Sequence, residues 1–244
     1  MTTHRRVQQQ PGFILHHRPF RDSSQIIDLI SRDHGKLSVV ARGSRGARSR
    51  LKGVLRPFMP LTLSWVIKSD LGTLTGAEVR GAPLSLSGDA LLSGYYVNEL
   101  ILHFLHRHDP QPEIFDIYGH TIAALAAAGA DIATCLRQFE MELLRQVGYA
   151  LSLDHEFGSN NPLAAQQHYE YRVEQGPVAV SRSEGPLVFS GELLSAIAEQ
   201  RFAEPDVRRA ANRLLRDVIS FHLGGKELKS RKVLMEMRRV TTSG

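Results

Sequence analysis

With 244 residues, 42% of them hydrophobic, the chain is long enough to bury a substantial core and to divide into two domains, and its single cysteine, Cys135, excludes an intramolecular disulfide and a thiolate-based structural zinc site. The net charge of +5 hides an asymmetry: residues 1–80 carry 14 Lys/Arg against 5 Asp/Glu and residues 81–244 carry 16 against 20, so a polyanion-binding face is expected on an N-terminal module. Neither MTTHRRVQQQPG at the start nor any later stretch has the apolar run of a signal peptide or a membrane span, and a soluble, cytoplasmic protein is expected.

Short apolar and β-branched runs recur between turn signals in the first third: Phe13 to His17, Gln25 to Ser31, Lys36 to Ala41, Leu61 to Ile67 and Thr73 to Val79. Their pattern predicts five strands. RDHG joins the second and third as a tight hairpin, and SRLKGVL between the third and fourth fits a short helical turn. Five strands with a helix between the third and fourth is the layout of an OB-fold, a partly open Greek-key barrel suited to single strands or oligosaccharides. An SH3-like barrel is similarly short and strand-rich; the inserted helical turn favours the OB-fold.

After Gly81 the period becomes helical. SGDALLSGYYVNELILHFL opens on Ser87, a capping candidate, and places Leu91, Leu92, Tyr95, Tyr96, Leu100, Ile101 and Leu105 in helical register. A second helix spans Pro112 to Gly129, with proline inside its start and glycine at its stop. The third, Asp131 to Val147, gathers Leu136, Phe139, Glu140, Leu143 and Leu144 and ends near Gly148. Ser152 to Gly185 interrupts this pattern with EFGSNNP, HYEYRVEQG and PVAVSRSEG, which read as a small β-hairpin or a loosely ordered subdomain. Helices return at Ser190 and after Pro205, and the basic KELKSRKVLMEMRR forms a short tail helix. The expected class is therefore α+β, with an OB-fold over residues 1–80, a mainly helical domain over 81–244, and a small β insertion at about 152–185.

Arg42, Arg45, Arg48, Arg50 and Lys52 crowd the segment RGSRGARSRLK, which contains no carboxylate. Arginine offers forked donors and permanent charge, while Gly43, Ser44, Gly46 and Ser49 let the backbone approach a polyanion closely. Charge runs are usually solvated loops; here the missing acids and the flanking strands favour nucleic-acid contact. With Lys36 from the third strand, these five residues form the candidate set, placed to track a phosphate backbone. Arg18 and Arg21 fit exposed turn residues as well as they fit contacts. Phe13, Phe20, Phe58 and Trp65 are the available stacking platforms, but each reads better as barrel core, so phosphate contact should outweigh base stacking. Lys226, Lys229, Arg231, Lys232, Arg238 and Arg239 either extend the polyanion surface or complement a helix dipole and keep the tail soluble.

Catalytic patterns are missing. GGKELKS lacks the spacing of a phosphate-binding loop and follows no strand. His103, His106 and His108 match no zinc-hydrolase motif and sit at a helix end, and Asp22, Ser23 or Ser24 near His16 and His17 do not make a triad. A non-catalytic binding protein is expected, without cofactor or metal.

The strings HHRPFRDSSQIIDLISRDHGKLSVVARGSRG, LKGVLRPFMPLTLSW, TLTGAEV, GYYVNELI, LRQFEMELLRQVGY and HLGGKELKSRKVL together resemble the RecO recombination-mediator family of bacteria, in order and spacing from end to end. The resemblance implies an N-terminal OB-fold followed by a helical domain. It also implies a nucleoid-associated protein that binds single- and double-stranded DNA, anneals complementary strands, and helps RecA replace the single-strand-binding protein SSB. RecR is the implied direct partner, with RecF a pathway associate. On this footing Lys36, Arg42, Arg45, Arg48, Arg50 and Lys52 are the expected DNA contacts. SSB proteins end in an acidic tail with a terminal apolar residue, and by resemblance Arg137 meets its carboxylates while Leu136 and Phe139 form part of an apolar pocket, with Arg145, Arg208 and Arg209 as auxiliaries. Taken without the family, Phe139 reads as buried and Arg137 as a surface residue. Many members carry a four-cysteine zinc module where this chain has Ser152 to Gly185; here that region has no cysteine, and His155 and His168 with Asp154 or Glu156 fit solvated groups better than replacement ligands. The alternative function is an OB-fold RNA-binding or ribosome-associated factor, which would share the basic barrel but have no reason to recognise an SSB tail.

Overall fold

A computed structural model describes residues 5–68 and 70–233. It opens with β1 (Arg5–Phe20), β2 (Ser24–Ser31), β3 (Gly35–Ala41), β4 (Leu61–Ile67) and β5 (Gly72–Val79), which close into a barrel in the order β1-β2-β3-β5-β4. Every pairing is antiparallel except β3 with β5. This is the Greek-key order of an OB-fold. Alternation accounts for the strands: in β4, Leu61, Leu63 and Trp65 are buried while Thr62, Ser64 and Val66 are half-buried. With Ile14, Ile27, Leu29, Leu37 and Val39 they fill the barrel.

The first strand is much longer than Phe13 to His17, because it serves two partners. Arg5 to Gly12 pair with β4, and Gly12 to Phe20 pair with β2. Gly12 sits at the exchange, where a Cβ would lie 2.7 Å from Leu63 Cδ1 and 3.1 Å from the Ile30 carbonyl oxygen. Irregularities in the register flank it on both sides, and the Gln9 amide (φ +51°) donates to Ser64 Oγ at 3.0 Å. The expected hairpin at RDHG forms, with Gly35 at φ +63° opposite Ser31.

No regular helix joins β3 to β4, contrary to the expectation for SRLKGVL. Successive turns replace it, with Lys52 N donating to Ser49 O at 3.2 Å, Val54 N to Leu51 O at 3.1 Å and Leu55 N to Leu51 O at 3.3 Å. Gly53, at φ +91°, stops that last bond from propagating into a helix.

Helices α1 (Gly88–Phe104) and α2 (Pro112–Ala126) follow the barrel. Asn98 of α1 donates to the Leu15 carbonyl at 2.8 Å and accepts from Tyr118 OH of α2 at 2.8 Å. Burial pushes the Tyr118 phenol far above its ordinary value, so it stays a neutral donor. Phe13 turns away from the barrel interior toward Phe115 and Tyr118, at ring separations of 5.4 and 5.0 Å. The chain up to Ala130, joined by residues from Leu228, is one compact unit, and Asp131 to Glu227 is the other.

The second unit contains α3 (Ile132–Gln146), β6 (His168–Arg172), β7 (Gly176–Val180), β8 (Val188–Ser190), α4 (Gly191–Ala198) and α5 (Pro205–His222). Asp131 caps α3 by accepting from Thr134 N at 3.2 Å, and Ser190 caps α4 by accepting from Leu193 N at 3.3 Å. The hairpin expected between Ser152 and Gly185 is β6 with β7; β8, just beyond it, completes a sheet of order β7-β6-β8. Along α5, Val207, Ala210, Ala211, Leu214, Leu215, Val218 and Ile219 make the buried stripe of an amphipathic helix. A helical turn begins at Lys229, and the rest of the expected tail helix, with Arg238 and Arg239, lies outside the described residues. Among the described residues, no helix is long and apolar enough to cross a membrane.

Candidate nucleic-acid interface

Residues 42–56 leave β3 as a loop with polar and apolar feet and cationic heads. Ser44 is buried and its hydroxyl donates to the Ala41 carbonyl at 2.9 Å; Leu51 and Val54 pack half-buried against the barrel core, and Leu55 enters it. Between these anchors Arg42, Arg45, Arg48, Arg50 and Lys52 are all exposed. None of them takes part in an ion pair among the described residues. Their charge is therefore open to a ligand.

The structure adds two residues to this loop. Arg45 N donates to the Ser23 carbonyl at 2.9 Å and its guanidinium to the Arg21 carbonyl at 3.4 Å, so the β1–β2 turn is tied to the loop and brings exposed Arg21 with it. Exposed Arg56 follows at the loop's end. Arg56 was hidden in the sequence behind the apolar pair Val54 and Leu55, although it stands only four residues after Lys52.

Lys36 stands apart. It lies at the start of β3, roughly 20 Å along the strand from the loop at its other end. Its ammonium is half-buried and donates to the Leu102 carbonyl in the last turn of α1 at 2.6 Å. Burial lowers its pKa, and Arg107 adds to the effect while Asp28 opposes it. Nearby, Arg107 donates to Ser38 and Ser38 to Asp28, whose other oxygen holds Arg18 at 3.0 Å and approaches His16 at 3.6 Å. Arg18 is thus engaged with Asp28, whereas Arg21 joins the loop.

Of the four aromatic candidates, only Trp65 belongs to the barrel core. Phe13 faces the helices, Phe58 packs on Tyr95 at 5.2 Å, and half-buried Phe20 carries the Arg21 guanidinium 5.2 Å above its ring. The expectation that all four fill the core fails because barrel and helices share two layers of apolar side chains, one inside the strands and one outside. Phe20 is left as the half-buried ring beside the β1–β2 turn that Arg45 ties to the loop.

In the second unit, Arg137 is not a surface residue. It is 8% exposed, donates to Glu140 Oε1 at 2.5 Å and to Asn212 Oδ1 at 2.6 Å, and so links α3 to α5. Glu140 and Phe139 are each 1% exposed; Leu136 is half-buried. Arg208 pairs with Asp131 at 3.7 Å, Arg209 with Asp206 and Arg145 with Glu142. The charge of each auxiliary arginine is already shared with a carboxylate on the same unit.

Among the described residues, no three His, Cys, Asp or Glu side chains converge as a metal site. His155 pairs with Asp154 at 3.0 Å, and the Asp154 carboxyl is held below its ordinary value by that bond. His168 is half-buried at the start of β6.

A family model described as Recombination protein O N terminal matches residues 4–82, and one described as Recombination protein O C terminal matches residues 85–232. The chain is 39% identical to DNA repair protein RecO of Nitrosospira multiformis over 237 residues, covering 96% of this chain and 98% of that protein. It is 39% identical to DNA repair protein RecO of Aromatoleum aromaticum, covering 98% and 100%, and 40% identical to that of Nitrosococcus oceani, covering 96% of each. An RNA-binding or ribosome-associated factor finds no support among these matches.

Proposed function

The chain belongs to the RecO family, whose members are DNA repair and recombination proteins, and from that premise we propose that it is a non-catalytic mediator which binds single- and double-stranded DNA and anneals complementary strands. The observation that carries this reading is the exposed, acid-free loop of Arg42, Arg45, Arg48, Arg50 and Lys52 on a closed OB barrel. Such a loop grips phosphates and leaves bases unstacked and free to pair, while its charge screens the repulsion between two strands. RecR as partner, the loading of RecA on SSB-coated DNA and the link to RecF follow from family membership and belong to the same proposal.

For the SSB tail, Arg137 supplies the cation and Leu136 the accessible apolar surface, with Phe139 as support from beneath. The burial of Arg137 specifies what binding requires: a tail carboxylate must share the guanidinium with Glu140 and Asn212.

The test is annealing of complementary oligonucleotides, bare and coated with the cognate SSB, followed by fluorescence quenching. Wild type should anneal both. Neutralising Arg45, Arg48 and Arg50 together should slow annealing of bare strands, and a substitution at the Arg137 site should act selectively on coated ones. No annealing by wild type under either condition rejects the proposal.

A further inference from the structure

The sequence just before Leu228 belongs to the second compact unit, but from Leu228 the chain rejoins the first. Leu228 is 4% exposed, and the helical turn after it is capped by a side chain of α1. One Glu99 oxygen accepts from Lys229 N at 2.9 Å; the other accepts from Ser230 N at 2.9 Å and from Ser230 Oγ at 2.6 Å. Lys232 N closes the turn on the Leu228 carbonyl at 3.2 Å. Burial pushes the Glu99 carboxyl up, but the bonds from Ser230 and Lys229, with His103 nearby, outweigh it and leave the pKa below its ordinary value.

The cap turns the acid inward and the cations outward. Both Glu99 oxygens face the amides of the turn, where a carboxylate complements the helix terminus. Lys229 and Lys232, three residues apart and so on one face, are exposed and take part in no ion pair among the described residues. The charge balance gives this placement a direction: the first unit through Val233 holds 18 Lys/Arg against 10 Asp/Glu, whereas the second holds 10 against 14. A basic segment is thus drawn off the acidic unit and fixed on the basic one. A lysine on a pinned turn also loses less freedom on binding than one on a free tail.

We propose that Lys229 and Lys232 form a second phosphate-contacting strip of the first unit, in addition to the loop of residues 42–52, and that Glu99 is the positioning residue that holds it in place. This rests on the reading of the chain as a DNA-binding protein.

The salt dependence of binding to a labelled single-stranded oligonucleotide tests it on the full chain, with thermal melting as the check on folding. Substituting K229A and K232A together should lower the log–log salt slope by about 1.4, at roughly 0.7 per contact. Glu99→Ala should weaken binding and lower the slope similarly, although it removes a negative charge, and should have no further effect in the K229A/K232A background. Tighter binding by Glu99→Ala, which loss of a negative charge alone would produce, overturns the positioning role. An unchanged slope in the lysine variant overturns the strip. If either occurs while the Arg45, Arg48 and Arg50 variant still loses slope, only this inference falls; a loop variant that binds like wild type brings down the DNA-binding role of the loop itself.

Discussion

Replacing Arg137 by alanine would leave Glu140 buried without the guanidinium that neutralises it. Breaking a buried pair from one side costs about 3–5 kcal/mol, so urea unfolding of Arg137→Ala should show a clearly lowered midpoint. Loss of tail binding in that variant would mix lost contact with lost fold. Leu136→Ala on the half-buried neighbour is the cleaner probe of the pocket, and it should weaken binding of an SSB-tail peptide with a smaller stability change. The loop arginines pose no such difficulty. Removing Arg45, Arg48 and Arg50 should lower the salt slope on single strands by up to about 2 while moving stability by no more than about 0.5 kcal/mol per exposed residue. That contrast is also the measure of what residue chemistry reveals in sequence. An unneutralised arginine run announces itself, whereas the partner that buries Arg137, Asn212, stands 75 positions away and on a different helix.

At the scale of elements, alternation and capping residues reveal most of the architecture, and failures fall where local signals conflict with distant partners. The first half of β1 reads RRVQQQPG, polar and interrupted by proline, and becomes a strand because β4 pairs with it. β8 is only Val188–Ser190 and cannot declare itself without β6 beside it. The same distant packing sets two predictions. A Cβ on Gly35 would lie 2.0 Å from the Asp109 carbonyl oxygen at a left-handed φ of +63°, so Gly35→Ala should lower stability by at least about 1–3 kcal/mol in urea unfolding. Tyr118→Phe removes the donor to buried Asn98 and should cost about 1–3 kcal/mol by the same measurement.

For the whole molecule, charge segregates by compact unit, and the sequence shows this only in outline. Residues 1–80 are visibly basic, but the turn that returns Lys229 and Lys232 to the first unit is hydrogen-bonded to Glu99, 130 positions before Lys229. Because the folded Glu99 pKa is depressed, its stabilising contribution is fully present above its ordinary value of 4.5 and is lost as pH falls through the lower folded value. Hydrogen exchange at Lys229 and Ser230, once corrected for the intrinsic effect of pH, should therefore be slow at neutral pH and lose its protection in acid; protection that persists after acidification would show that the cap does not hold the turn.

The division of β1 at Gly12 also has a meaning in time. Gly12 to Phe20 find β2 just across the turn that follows Phe20, whereas Arg5 to Gly12 must wait for Leu61–Ile67. On a chain emerging from the ribosome, the meander of β1, β2 and β3 is complete while the leading segment is still without its neighbour. Pulse-labelled exchange during refolding should accordingly protect Ile14 to Phe20 before Arg5 to Val7. The barrel seam is then sewn after the meander, and until β4 and β5 have joined it the cationic loop hangs from an open sheet.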